Sequence, residues 1–170
     1  VKPTANAGAN VAICEGDSTV LTASGGDSYA WSTGETTQSI TVSPSATTTY
    51  TVTATQNGCS DSDSVLVVVN PLPTANAGAD VTIINGNSTT LIATGGGAYL
   101  WNTGETTASI TVSPSTTTTY SVTVTSLGCQ STDDVEVTVT NGVVANAGAD
   151  QIICEGERLS LTASGGTEYI

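Results

Sequence analysis

Residues 31–44 read WSTGETTQSITVSP, and residues 101–114 read WNTGETTASITVSP. The two stretches lie 70 residues apart, and other stretches keep the same interval. The sequence ANAGAN or ANAGAD begins at three positions, Ala5, Ala75 and Ala145. Self-similarity at one fixed period, without insertions, is the signature of a tandem repeat.

The period divides the chain into three parts. We predict a first repeat at residues 1–70, a second at residues 71–142, and the N-terminal part of a third, incomplete repeat at residues 143–170. The chain is therefore expected to be a piece of a longer array. A domain of this size buries only about 60% of the surface that its unfolded chain exposes, so each repeat is expected to depend on its neighbours or on cross-links.

The charge of the chain excludes several classes of function. The chain has fifteen acidic residues and only two basic ones, Lys2 and Arg158, so its net charge is −13. Nucleic-acid binding requires a basic surface, and anionic membranes would repel the chain. No apolar run has the length of a membrane span, so no membrane insertion is expected.

The chain contains no histidine, which removes most acid–base and nucleophilic schemes at neutral pH. Glu35 and Glu105 are the carboxylates that recur in both repeats, but each lies in a Thr-Gly-Glu-Thr turn. A repeated turn indicates conserved geometry within the chain rather than catalysis. We therefore predict no catalytic residue and no enzymatic activity.

Thr and Val dominate the sequence, and turn residues interrupt it every eight to twelve residues. This pattern predicts six or seven short strands per repeat and a β-sandwich. In the second strand Leu21 matches Leu91, whereas the preceding residue changes from Val20 to Thr90. Positions that stay apolar at every second residue indicate that one face of the strand is buried.

The same reasoning directs four aromatic side chains toward the core. They are Trp31, Trp101, Tyr50 and Tyr120. A tryptophan on the third strand commonly fills the centre of a sandwich. The alternative is an exposed tryptophan that stacks on a sugar, which normally requires several aromatic residues on one surface.

The amino-acid sequence of the repeats resembles that of a known group of domains. PTANAGAD opens the second repeat, a Tyr-x-Trp strand follows, and TTYSVTVTSLGC leads into a strand of alternating valines. This order resembles the PKD-like and immunoglobulin-like repeats in cell-surface adhesins of Bacteroidetes, including the SprB-like gliding adhesins that the type IX system secretes. The match departs from PKD repeats proper, since the chain has Trp101-Asn-Thr-Gly-Glu where those repeats have a Trp-Asp-Phe-Gly-Asp-Gly-like motif.

The resemblance implies an all-β array of tandem immunoglobulin-like (PKD-like) sandwiches in a line, exported to the cell surface. It implies a stalk or filament with roles in adhesion and gliding motility, and with neighbouring repeats, surface polysaccharide or other filament copies as partners. The alternative is a carbohydrate- or ligand-binding module of a secreted multidomain protein. The resemblance to Bacteroidetes adhesins also implies O-glycosylation at Ser18 and Ser64, which stand in Asp-Ser-Thr and Asp-Ser-Val motifs.

Four cysteines permit three pairings. Under an immunoglobulin-like topology the first strand ends at the pole that faces the next repeat, and the last hairpin turns at the opposite pole. This geometry favours an inter-repeat bond between Cys14 and Cys129 over an intra-repeat bond between Cys14 and Cys59, because bonded cysteines need Cα atoms within about 7 Å. Cys59 and Cys154 would then pair beyond this segment. Either pairing implies an oxidising, extracellular setting.

Metal binding has weaker support in the sequence. Without His or a Cys-x-x-Cys motif, no structural metal site is predicted. Asp80 and Asp150 lie at the predicted junctions between repeats, where Ca²⁺ could take their oxygens as ligands. The neighbouring acidic positions vary between repeats, for Glu15 becomes Asn85, so solvated loops without a cofactor are the preferred interpretation.

Overall fold

A computed structural model of the chain describes residues 2–166. Val1 and residues 167–170, which belong to the predicted first and third repeats, lie outside the described residues. The first repeat contains six strands: β1 (Val11–Cys14), β2 (Thr19–Thr22), β3 (Ser28–Trp31), β4 (Ser39–Val42), β5 (Thr48–Gln56) and β6 (Cys59–Asn70). The second contains six more at matching positions: β7 (Val81–Ile84), β8 (Thr89–Ile92), β9 (Ala98–Trp101), β10 (Ser109–Val112), β11 (Thr118–Ser126) and β12 (Cys129–Thr140).

Each repeat is a sandwich of two sheets. In the first, a four-stranded sheet has the order β1-β6-β5-β3, and a two-stranded sheet pairs β2 with β4. In the second, β7-β12-β11-β9 form the larger sheet and β10-β8 the smaller one. The predicted fold class is confirmed, because this strand order is that of tandem immunoglobulin-like domains.

The core of each sandwich consists of the residues that alternate inward. On β5 the side chains of Tyr50, Val52 and Ala54 are buried, and the threonines between them face outward. Leu21 is buried on β2, whereas Val20 beside it is 62% exposed. The alternation that the sequence predicted therefore decides which face of each strand packs against the other sheet.

The last strand of each repeat is longer than its sequence pattern predicts. In the second repeat the alternating pattern predicts a strand from Thr132, and the strand begins at Cys129. The missed residues are mostly polar and show no apolar alternation. In the matching part of the first repeat, cross-strand hydroxyl pairs hold such polar positions, with Thr53 Oγ1 3.1 Å from Ser62 Oγ and Thr55 Oγ1 3.0 Å from Ser60 Oγ.

The ANAG motif marks the place where the chain crosses from one sheet to the other. Asn6 pairs with Ser24 beside the small sheet, and a few residues later β1 joins the large sheet. The Asn6 Oδ1 atom accepts a hydrogen bond from the Gly8 amide at 2.7 Å, and Gly8 has a φ of 92°. A side chain at that φ would be strained, which explains why the motif ends in glycine.

Carboxylates on β6 hold the N-terminal segment in place. Asp61 Oδ2 accepts a hydrogen bond from the Ala5 amide at 3.0 Å, and Asp63 Oδ2 accepts one from the Ala7 amide at 2.8 Å. Lys2 Nζ lies 2.7 Å from Asp61 Oδ1. The second repeat keeps one of these bonds, in which Asp133 accepts from the Ala77 amide at 2.9 Å.

Residues 143–166 repeat only the beginning of this plan. Asn146 pairs with Ser164, and Asn146 Oδ1 accepts a hydrogen bond from the Gly148 amide at 2.8 Å, as in the complete repeats. No strand forms between residues 143 and 166, and all of these residues are exposed. The strands that would pair with this segment correspond to β4 and β6 of the first repeat.

The carboxylate contacts predict a loss of stability in acid. The pKa of Asp61 is lowered, first by the Lys2 side chain and then by the Ala5 amide; the pKa of Asp63 is lowered by the amides of Ala7 and Ser64. Because both folded pKa values lie below the ordinary value of 3.8, the stability that they contribute is complete above that pH and is lost as the pH falls through the folded values.

We expect Asp63→Asn to flatten the acid limb of a plot of unfolding free energy against pH, since the amide keeps an acceptor oxygen but does not titrate. Urea unfolding between about pH 6 and pH 2 measures this slope. Asp17→Asn is the matched control: it removes the same charge at a position where the second repeat has Asn87. Identical slopes for the two variants would contradict the prediction.

Candidate functional site at the junction between repeats

A disulfide bond joins the two sandwiches. It connects Cys14 of the first repeat to Cys129 of the second, across a sequence separation of 115, with the Cα atoms 5.6 Å apart. The favoured inter-repeat pairing is the one observed.

The pairing of β1 explains how Cys14 reaches the second repeat. β1 runs parallel to the last part of β6, and Cys14 lies beside Asn70, where the first repeat ends. Cys129 is the first residue of β12 and follows the hairpin that closes β11. One cysteine therefore stands at the C-terminal pole of the first sandwich and the other at the N-terminal pole of the second.

The same geometry makes the intra-repeat alternative wrong. β6 runs for 12 residues from Cys59 to Asn70, and Cys14 lies beside its far end. At a rise of about 3.3 Å per residue, the two cysteines are separated by roughly 35 Å along the strand. A disulfide requires Cα atoms within about 7 Å.

Asn70 adds non-covalent contacts at the junction, a role that the sequence analysis missed. Its carbonyl accepts a hydrogen bond from the Glu15 amide at 2.9 Å, and its side-chain Nδ2 donates to the Leu127 carbonyl of the second repeat at 3.1 Å. The Cys129 Sγ atom lies 3.9 Å from the same Asn70 carbonyl. Asn70 thus fastens β1 within its own repeat and reaches across to the hairpin of the next.

The hairpin that receives Asn70 has a strained residue at its tip. Leu127 has a φ of 51° and Gly128 a φ of 84°, the left-handed pair of a tight hairpin turn. Asn57 and Gly58 take the same conformation in the first repeat. Asparagine tolerates this region, whereas leucine there costs about 1–2 kcal/mol. The Leu127 carbonyl accepts the hydrogen bond that crosses the junction.

The end of the second repeat has neither the cysteine nor the asparagine that the first repeat uses at its junction. Ile84 takes the place of Cys14 and is 50% exposed. Thr140 takes the place of Asn70, and its hydroxyl donates to the Ile83 carbonyl of its own repeat at 3.2 Å. A comparison of the two repeat ends would have drawn attention to Asn70, because it changes together with the cysteine.

The other two cysteines are exposed and unbonded in this segment. Cys59 follows the hairpin turn of the first repeat, in the position that Cys129 occupies in the second. Cys154 occupies the position in the third repeat that Cys14 occupies in the first, and its carbonyl accepts a hydrogen bond from the Glu157 amide at 3.2 Å. Their pairing with cysteines outside this segment stays a prediction.

The predicted core residues lie inside the sandwiches. Trp31 and Trp101 are 4% and 1% exposed, and Tyr50 and Tyr120 are 8% and 7% exposed. Each tryptophan Nε1 donates at 3.0 Å to a threonine carbonyl, that of Thr37 or Thr107.

The stretch that follows each tryptophan folds back over it. The Trp101 amide donates to the Glu105 carbonyl at 2.9 Å, and the Gly104 amide donates to the Trp101 carbonyl at 2.9 Å. Hydrogen bonds from the Thr103 side chain and from a backbone amide lower the pKa of Glu105. Trp31 makes the same backbone bonds with Glu35 and Gly34. The repeated motif therefore builds a turn beside the tryptophan in which the backbone of both glutamates takes part.

Asp80 has a structural partner of its own. Its Oδ1 atom accepts a hydrogen bond from the Glu136 amide at 2.8 Å, and Asn10 makes the same bond to the Leu66 amide at 2.9 Å. Asp150 is exposed. Among residues 2–166, no three His, Cys, Asp or Glu side chains form a group suited to hold a metal ion. Calcium at Asp80 or Asp150 stays a prediction.

The two predicted glycosylation sites lie on the surface. Ser18 is exposed in the turn between β1 and β2, and Ser64 is exposed on β6, where its Oγ atom lies 2.9 Å from Thr51 Oγ1. Their modification stays a prediction. None of the described residues forms a helix long and apolar enough to cross a membrane.

Comparison with known proteins found similarity to solved structures only. Extracellular domains 3–5 of Drosophila OTK align with 82% of the chain at 11% identity and a TM-score of 0.49. Immunoglobulin domains 1–4 of Sidekick-1 align with 83% of it at 14% identity and a TM-score of 0.40, and the insect immune protein hemolin aligns with 81% at 14% and 0.44. The chain spans 60% of the OTK chain, 48% of the Sidekick-1 chain and 47% of the hemolin chain. No protein-family model and no curated protein sequence matches it. Because these identities and TM-scores are low, the fold assignment rests on strand order and register.

We predict that the Cys14–Cys129 bond is a main source of stability for the pair of repeats. Cys14→Ile, which gives the first repeat the residue that the second has at Ile84, is expected to lower the free energy of unfolding by about 2–4 kcal/mol. Urea titration followed by tryptophan fluorescence measures the change. Cys59→Ser is the control and should leave the transition unchanged. Equal midpoints for the wild type and Cys14→Ile would contradict the prediction.

Proposed function

We propose that the chain is a load-bearing segment of an exported adhesin stalk, in which immunoglobulin-like repeats supply length and stiffness. One observation supports this proposal above the others: a covalent bond ties the C-terminal pole of one sandwich to the N-terminal pole of the next. A bond in that position restrains the angle between repeats, which matters to a stalk.

The linker between the repeats supports the same role. Pro71 and Pro73 flank Leu72, and proline restricts the backbone of a short connection. Pro73 is buried, and its carbonyl accepts a hydrogen bond from the Ser131 hydroxyl at 2.7 Å. The linker is thus held against the second repeat.

The setting of this stalk is also part of the proposal. A disulfide is kept in an oxidising compartment, so the segment functions outside the cytoplasm. The resemblance of its wording to adhesin repeats of Bacteroidetes favours a bacterial cell surface, export by the type IX system and a part in gliding or attachment. Partners are the neighbouring repeats, with surface polysaccharide or other filament copies at a site beyond this segment.

The stalk predicts an elongated particle whose stiffness depends on the junction. β6 has 12 residues, so a sandwich is about 40 Å long and two in line are about 80 Å. We expect small-angle X-ray scattering of the full chain to show this rod. The matched variant transplants the second repeat end into the first, with Cys14→Ile, Asn70→Thr and residues 71–73 changed to Asn-Gly-Val.

The variant should broaden the pair-distance distribution and reduce the radius of gyration, because the two sandwiches lose the bond, the Asn70 contact and the proline linker together. Far-UV circular dichroism checks that both sandwiches stay folded. A compact wild-type particle would overturn the stalk proposal. Equal scattering curves for the two proteins would show that the junction does not set the stiffness.

The alternative function is a carbohydrate-binding module. Both tryptophans, Tyr50 and Tyr120 are buried, and Tyr29 and Tyr99 are half-buried against the cores, so the described residues present no fully exposed aromatic side chain for a sugar to stack on. We predict that the wild type binds no sugar on a glycan array and that Trp31→Ala destabilises the first repeat by about 3–5 kcal/mol. Binding that is lost in a Trp31→Phe variant with an intact fold would favour the alternative.

A further inference from the structure

The position of the disulfide creates a short covalent route through the two repeats. Cys14 is the last residue of the first strand of the first repeat, and Cys129 is the first residue of the last strand of the second. A pull on the two ends of the chain therefore passes from residue 14 directly to residue 129. Residues 15–128 form a closed side loop that this route bypasses.

We infer that the Cys14–Cys129 bond shields both sandwiches from tension, so that the pair keeps its folded length under load. The inference rests on the proposed stalk role, because only a segment under tension uses such a route. The bond thereby limits extension, in addition to holding the angle between the repeats.

In the folded protein the covalent route through the disulfide is already close to its fully extended length. The route consists of residues 1–14 and the 12 residues of β12. Fully stretched, it spans about 90 Å, close to the roughly 80 Å of two folded sandwiches in line. Pulling it straight gains on the order of 10 Å. Releasing the side loop, which the bond closes over a separation of 115 residues, would add about 400 Å.

Without the bond, tension would run through both sandwiches. In the first repeat the load would enter β1 and leave through the end of β6, and these parallel strands pair over four residues, from Val11–Val67 to Cys14–Asn70. In the second it would act on β7 and β12, which pair over four residues in the same way. Opposed forces along parallel strands shear those few hydrogen bonds, and their loss opens each sandwich.

The disulfide directs the load away from the pairings of β1 with β6 and of β7 with β12. In the first repeat the pull acts at both ends of β1 and no longer separates β1 from β6. In the second it acts on β12 from Cys129 onward, and β7 carries none of it. In each sandwich the load is then carried by one strand that is already extended, β1 in the first and β12 in the second.

Single-molecule force spectroscopy tests the inference on the full chain, with handles beyond Val1 and Ile170. The oxidised wild type is expected to extend without any domain-sized step. Cys14→Ile should show two steps of about 200 Å each, since each 70-residue repeat then unfolds along the pulling direction. Cys59→Ser is the matched control and should behave like the wild type.

The wild type pulled in dithiothreitol repeats the comparison without a substitution, in case Cys14→Ile impairs folding. Two steps of about 200 Å in this reduced protein support the shield. One or two such steps in the oxidised wild type, or no difference between the oxidised and reduced protein, would overturn it. The scattering experiment above decides the stalk role independently, because a rod that unfolds freely under load is still a rod.

Discussion

The parallel pairing of β1 with the end of β6 is the constraint on which the junction depends. It carries the first strand to the same pole as the last residue of the repeat, so Cys14 and Asn70 leave the sandwich side by side. From there one makes a covalent bond and the other a hydrogen bond to the next repeat. If the chain continued beside the small sheet after the Asn6–Ser24 bridge and did not cross to β6, Cys14 would not be placed beside the next repeat.

The chain contains two kinds of repeat end on one scaffold. The first combines Cys14, Asn70 and a proline linker, and the second combines Ile84, Thr140 and Asn141-Gly142. β1 and β7 pair with the last strands in the same register, so the sandwich itself does not distinguish the two ends. The two ends therefore differ in two side chains at the pole and in the linker, and within residues 2–166 the first end carries the bond to a neighbouring repeat.

Much of the fold could be read from the sequence, because the repeat supplies its own comparison. Apolar constancy at Leu21 and Leu91 indicates the buried face of the second strand, and the alternating valines indicate the last strand. The polar start of the last strand was missed, since hydroxyl pairs such as Thr55 with Ser60 leave no apolar period. Asn70 was missed for a different reason: its role depends on a carbonyl in the next repeat, which no local pattern specifies.

The charge of the chain disfavours the packed interfaces on which many repeat proteins rely. Solenoid repeats gain stability from the apolar area that neighbours bury. This chain has a net charge of −13, and among its described residues no strand of one sandwich pairs with a strand of the other. Like-charged neighbours repel each other, which keeps repeats soluble and apart but opposes a broad contact between them. The disulfide, with the Asn70 hydrogen bond beside it, joins the sandwiches at their poles without a broad contact. Under the proposed stalk role, the disulfide also lies on the line of pull.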